Sequence, residues 1–404
     1  MKRVNCTLLA LGFRPFFLLA GLFAVILIPL WSTVFVTNHT LATYYGVVGW
    51  HSHEMIFGYA AAVMAGFLLT AVGNWTGIRA TSGAPLAALS ALWLAGRVIP
   101  FFPAAIPSWL TALADFLFFP ALMVFLAIPL IRSGQRRNLF FIPLLGAFAL
   151  ANLMVHLEVL GFAGGFARAG TFLGLDLIIL LIVIMGGRVI PFFTERALPG
   201  VSPKRWPWVE CLSTASVIAF MLAELFLPDS ILAAVTAGLA AASNGLRLIG
   251  WYTKRFWPVP LLWVLHMGYG WVVVGFFLKA LAAAGLVSPQ WTIHAFTVGG
   301  IGILTLGMMA RVSLGHTGRP LEASKSMAMG FALINLAAVT RGVAPLFFPS
   351  SLPALVALSA GLWILSFAIF LEVYSSILIR PRIDGRPGRC GRRPFECPEC
   401  YGLC

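Results

Sequence analysis

Twelve runs of about twenty apolar residues, parted by short polar segments, dominate the 404-residue chain. At roughly 1.5 Å of rise per residue, one such run spans the bilayer's hydrocarbon core of about 30 Å as a single α-helix. The runs lie near residues 16–36, 53–73, 85–102, 109–131, 139–163, 171–193, 208–227, 231–250, 259–285, 291–312, 325–348 and 352–379. In lipid the backbone polar groups must be satisfied within the helix itself, so the expected fold is an all-α polytopic membrane bundle of about twelve transmembrane helices. The composition is 60% hydrophobic and 10% charged, against about 25% charged for a soluble domain. A soluble globule is thereby excluded, and so is disorder. Pro marks several run starts: Arg14-Pro15 opens the first, and Pro107, Pro207 and Pro353 lie near later ones. The stretch Phe16 to Val36 is too long for the core of a signal peptide and lacks a small-residue cleavage site, so it reads as a permanent first helix.

The net charge of +14 invites a nucleic-acid reading, but its distribution answers otherwise. If the N-terminus is cytoplasmic, every Lys and Arg except Arg97, Arg168, Arg341 and Lys279 falls in segments on the inner side. An imbalance of that size fits the positive-inside rule with twelve helices and both termini cytoplasmic. The basic excess therefore reports topology and contact with anionic membrane lipid, and no nucleic-acid partner is expected. Residues 1–380 form the expected transmembrane domain, and 381–404 a basic, Cys-rich cytoplasmic tail expected to be disordered. Four thiols there, Cys390, Cys397, Cys400 and Cys404, have one zinc-like spacing, Cys397-x-x-Cys400. With no surrounding domain, a zinc site in the tail is the lesser expectation.

The second and tenth runs echo each other at an offset of 241 residues. His53 matches His294, Gly58 matches Gly299, Gly66 matches Gly307, and Thr76-Gly77 matches Thr317-Gly318. The sixth run ends comparably at Thr194, so the spacing suggests three sets of four helices. Another echo, Gly96-Arg97-Val98-Ile99-Pro100-Phe101-Phe102 with Gly187-Arg188-Val189-Ile190-Pro191-Phe192-Phe193, joins helices of opposite direction.

Polar groups inside a membrane are costly, and their placement is the main functional signal. With the expected orientation, His51, His53 and Glu54, His156 and Glu158, His294, Asp115, Asp176 and Glu224 all fall in the outer third of the bilayer. Imidazole binds metals while neutral and so avoids burying a charge. A haem in a helical bundle needs one or two axial histidines from facing helices. His51 and His53 are roughly 200° apart around a regular helix. Either the backbone is irregular there, or the two serve different sites. His39 is expected in a loop, while His266 and His316 lie toward the inner side.

Longer motifs carry a family resemblance. Trp50-His51-Ser52-His53-Glu54-Met55-Ile56-Phe57-Gly58, with Gly66-Phe67-Leu68-Leu69-Thr70-Ala71 and Asn74-Trp75-Thr76-Gly77, resembles the NnrS family. So do Gly12-Phe13-Arg14-Pro15-Phe16-Phe17, the stretch from Gly186 to Thr194, and His266-Met267-Gly268-Tyr269. His294-Ala295-Phe296-Thr297-Val298-Gly299, running on to Met309-Ala310-Arg311 and His316-Thr317-Gly318-Arg319-Pro320, is similar as well. The likeness extends to about residue 380; the Cys-rich end departs from it. The resemblance implies a haem- and copper-containing bacterial inner-membrane protein of the nitric oxide response, linked to denitrification and nitrosative-stress tolerance. It implies His51, His53, His156, His266, His294 and His316 as cofactor ligand candidates, with Glu54 as a proton or hydrogen-bond partner. His51, His53 and His294 are the expected metal ligands, with nitric oxide or a related small molecule as partner. Arg188 and Arg311 are candidates for haem propionates or for anchoring at the inner interface. Reduction of nitric oxide, protection of iron centres and signalling all remain open under the resemblance.

The plan is also similar, more distantly, to subunit I of haem-copper oxidases, with twelve helices in three four-helix arcs and haem histidines on helices 2 and 10. The chain lacks the adjacent histidine pair expected on helix 7, so that ligand scheme does not transfer. The rival readings are a twelve-helix secondary transporter and a metal-handling assembly factor. A transporter should show two six-helix repeats with a site at the midplane, whereas the echo here is by fours.

Overall fold

The computed structural model describes residues 7–385 apart from 163 and 229. Twelve helical segments are long and apolar enough to cross a membrane. They are α1 Phe13–Thr37, α2 Val47–Thr76, α3 Ala84–Phe101, α4 Ser108–Arg132, α5 Arg136–Val159 and α6 Phe166–Ala197. The second half comprises α7 Pro207–Phe226, α8 Ile231–Trp251, α9 Pro260–Ala283, α10 Pro289–His316, α11 Lys325–Phe347 and α12 Pro349–Ile379. The described residues contain no strand. The expected fold class and helix count stand, with α2 beginning at Val47 rather than near 53. The tail thiols from Cys390 to Cys404, and Cys6, lie outside the described residues, and with them the zinc question.

Successive helices are neighbours around the bundle, and α12 packs back on α1. α2, α6 and α10, four helices apart, also pack on one another at the centre, in keeping with three four-helix arcs. Small residues make the close approaches possible. A Cβ on Gly66 would meet the Phe17 ring at 2.8 Å, which joins α1 to α2. On the far side, Gly268 lies against Leu304, Gly275 against Phe296 and Gly299 against Trp271, locking α9 to α10. Ile26, Val124, Ile131, Leu239, Leu336 and Leu365 remain exposed on the bundle's outside, where lipid tails rather than water are the natural solvent.

The 241-residue echo has a backbone counterpart. α2 widens into a π-helix over Glu54–Ala60, and α10 does the same over Ala295–Gly302. Each widening begins directly after the matched histidine, His53 or His294. Both helices also stop the same way: Gly77 and Gly318 take positive φ, 66° and 74°, a left-handed conformation open to glycine at little steric cost. α6, the third central helix, runs as one uninterrupted α-helix from Phe166 to Ala197.

The bundle has a basic end, with loops carrying Arg79, Lys204, Arg205, Lys254, Arg255 and Arg319, and a charge-poor end, where α2, α4, α6, α8, α10 and α12 begin. If the basic end is cytoplasmic, alkaline phosphatase fused after Leu286 or Phe348 will be active in cells. Fusions after Gly134 or Gly318 will be inactive, and a fluorescent-protein reporter will give the opposite pattern. Activity on the basic side would reverse the orientation.

Candidate metal centre

The first turns of α2, Val47–His53, are regular α-helix, so His51 and His53 leave it on different sides. His53 turns toward α3, α4 and α5, where it is fully buried. Its Nε2 lies 3.1 Å from Asp115 Oδ2 of α4. The Nε2 of His156, on α5, lies 3.1 Å from that same oxygen. The two imidazole nitrogens and the carboxylate oxygen are within 4.8 Å of one another, a grouping able to hold a metal ion.

Each histidine is steadied from behind. His53 Nδ1 is 3.2 Å from Glu54 Oε1, and His156 Nδ1 is 3.3 Å from the Tyr44 hydroxyl. Asn152 Nδ2 donates to Asp115 Oδ2 at 2.8 Å and approaches His53 Nε2 at 3.1 Å. With its proton on Nδ1, donated to Glu54, His53 would turn the Nε2 lone pair inward, as in a carboxylate–histidine–metal relay. Burial pushes the Tyr44 phenol up to about 12, so it stays protonated and can donate to His156. Tyr45 stacks on the His53 ring, centroids 4.0 Å apart, and burial raises its phenol well above the ordinary value.

Arg97, at the end of α3, ties the group together. Its Nη1 is 3.0 Å from Glu54 Oε2, and its Nη2 pairs with Asp115 Oδ1. All three side chains are almost wholly enclosed. One guanidinium against two carboxylates leaves a surplus of one negative charge when the imidazoles are neutral. A buried charge of that kind requires a counter-ion. Two glycines make room for the pairing. A Cβ on Gly58 would lie 2.6 Å from Arg97 Nη1, and one on Gly96 would lie 2.6 Å from Asp115 Oδ1.

His51 and His294 form a second group. His51 stacks on Trp31 of α1, centroids 4.1 Å apart and planes 7° from parallel. His51, His294 and Arg341 of α11 lie within electrostatic reach of one another. The backbone of Gly342 sits against Ala295, bringing the end of α11 to the start of α10. His51 Nδ1, His294 Nδ1 and Arg341 Nη1 are buried without a hydrogen-bond partner.

His266 and His316 are placed at the basic end. His266 Nδ1 is 3.0 Å from the Leu262 carbonyl, and its ring stacks on Phe256. His316 closes α10 and packs against Phe13. Arg188 donates to Asn138 and Arg311 lies 3.9 Å from the Phe193 ring centroid, both as anchors at that end. Glu158 accepts from the Ala167 N–H, and His39 is an exposed loop residue. Sequence reasoning gave no role to Arg97, Asn152, Tyr44 or Tyr45. Arg97 lay within the limits of the third apolar run, and an arginine there calls for a carboxylate partner; that signal was available.

Because Arg97 holds both carboxylates, Arg97→Met should leave two buried anions unpaired and lower stability by about 3–5 kcal/mol. Gly96→Ala, which crowds the same pair, should lower it by about 1–3 kcal/mol. Thermal unfolding in detergent checks both, with Gly146→Ala, where a Cβ meets nothing, as the reference for a helical Gly→Ala change without crowding.

The family described as NnrS protein matches residues 7–382, nearly all of the chain. No curated protein matches it. A match of that length shows that the chain belongs to the NnrS family.

Proposed function

We propose that this chain binds copper and haem in the bacterial inner membrane and acts in the nitric oxide response, in denitrification or in tolerance of nitrosative stress. The observation that carries the proposal is the convergence of His53 Nε2 and His156 Nε2 on one oxygen of Asp115, each at 3.1 Å. Ligands held tetrahedrally about 2.0–2.2 Å from a metal are themselves roughly 3.3 Å apart. Each imidazole nitrogen is thus close to that spacing from the shared Asp115 oxygen, and two imidazoles with a carboxylate suit a first-row transition ion. The surplus negative charge of the network favours a cation in the same place. His53, Asp115 and His156 would hold the copper.

When bound, copper would supply a redox-active ion able to bind a small ligand such as nitric oxide. The protein's own residues set the conditions. Glu54 keeps the His53 proton on Nδ1, Tyr44 supports His156, and Arg97 holds Asp115 by the oxygen not shared with the histidines. Tyr45 and the surrounding helices exclude bulk water. Nitric oxide is small and apolar and reaches such a depth through lipid.

His51 and His294 would hold the haem. They are imidazoles from two central helices, each with an unpartnered buried nitrogen, and Arg341 beside them is suited to a propionate. These assignments keep the expected ligands His51, His53 and His294 and divide them between two sites.

Metal analysis and the optical spectrum of purified protein test the reading. The expected result is stoichiometric copper that is lost in His53→Ala, His156→Ala and Asp115→Ala while the haem bands persist. Copper retained in all three variants would place it elsewhere, and colourless protein without iron or copper would overturn the proposal. In a separate pair, His51→Ala and His294→Ala should each shift or abolish the haem bands and leave copper bound. Copper uptake should also fall at acid pH, since protons compete for the same nitrogens and oxygen.

A further inference from the structure

A cavity of about 220 Å³ lies between α6 and α7, with no histidine in its lining. Its lining includes Gly165, Arg168, Phe172, Asp176, Glu224 and Pro228. Gly165 precedes α6 and Pro228 follows α7, so the cavity lies at the charge-poor end. It has room for several water molecules.

Asp176 is the unusual member. It is only 7% exposed and lines the cavity, yet its carboxylate receives no hydrogen bond from any described residue. The charged groups facing it are Lys279 of α9 and Glu224 of α7, with Arg168 on its own helix at the cavity wall. Lys279 is already engaged: its Nζ lies 2.5 Å from Glu224 Oε1 and over the rings of Phe172 and Phe220. The Lys279–Glu224 pair is neutral as a unit and leaves Asp176 without a counter-ion of its own. A carboxylate enclosed in this way without donors is costly as an anion and takes up a proton instead.

We propose that Asp176 is a proton-exchange site, loaded from the aqueous phase at the charge-poor end through this cavity. The step is a plain proton transfer: the carboxyl O–H bond breaks, a water in the cavity gains the proton, and no electrons change hands. The site is independent of the metal reading, because none of the lining residues belongs to either histidine group.

Dicyclohexylcarbodiimide reacts with protonated carboxyls in apolar surroundings and so serves as the probe. Full-length protein in detergent or nanodiscs is treated in sodium-free buffer from mildly acid to alkaline pH, and peptides are analysed by mass spectrometry. The expected result is an adduct at Asp176 that falls several-fold toward alkaline pH and is missing from that peptide in Asp176→Asn. Replacing choline by sodium at fixed pH should not change it. Absence of the adduct at every pH, or labelling that ignores pH, would overturn the proposal. Suppression by sodium would overturn it in favour of an alkali-cation site. The readout is covalent labelling of wild-type protein, so it does not depend on bound metal or on the folding of any variant.

Discussion

The pairing of Arg97 with Glu54 and Asp115 is the constraint on which the charge-poor end of the bundle depends. A guanidinium buried among apolar helices persists only where carboxylates meet it at close range. Those carboxylates come from α2 and α4, and Arg97 itself from α3. Once Asp115 is held by one oxygen, its other oxygen is fixed for His53 of α2, Asn152 and His156 of α5. Four helices are thus brought into register by one cation. Gly58 and Gly96 belong to the same device, since a methyl group at either would stand where the Arg97 or Asp115 side chain is.

The fold was largely legible because hydrocarbon length and charge asymmetry act on each helix separately. Twelve runs follow from local sequence, and only ends moved, as at Val47. The layer of histidines and carboxylates was legible for the same reason, depth being a one-dimensional quantity. How that layer divides around the bundle was not, because it depends on which helices become neighbours. His51 and His294 come within electrostatic reach of Arg341, whereas His53 meets Asp115 and His156, and no spacing within α2 foretells those partners. Arg97 reads from the sequence only as a basic residue on the outer side, because near a helix end such a residue normally snorkels to the headgroups. Asn152 and Tyr44 gave no signal beyond being polar, and their roles exist only once α5 and the α1–α2 loop close over His53.

The echo between α2 and α10 gains physical content from the two π-helical segments. Insertions of this kind are frequent at functional positions, and here each starts one residue after a matched histidine. The widened turn changes the helix phase beyond that point, so residues before and after the histidine no longer follow one stripe. His51 and His53 point to different sides because the turns that carry them are regular α-helix; the widening sets where the later glycines, Gly58 and Gly66, meet their neighbours. α10 makes the corresponding approach through Gly299 to Trp271. The rule-breaking backbone therefore sits where the buried polar groups are, and the remainder of both helices is regular.

The two histidine groups differ in charge, and the difference bears on what each can hold. Around His53 there is one guanidinium and two carboxylates, a deficit of one positive charge. Around His51 and His294 the charged neighbour is Arg341, with no carboxylate among the described groups acting on them, an excess of one positive charge. In a medium of low dielectric neither imbalance is tolerated without compensation. A bare metal cation relieves the first and would aggravate the second. A cofactor with anionic substituents, such as a haem with its propionates, suits the second and would be repelled by the first. Under the reading proposed for this chain, electroneutrality would favour a cation at His53, Asp115 and His156 and an anion-bearing cofactor at His51, His294 and Arg341. Moving the charge should move the preference: Arg341→Gln should weaken haem retention while leaving copper in place, and equal loss of both metals would refute the division.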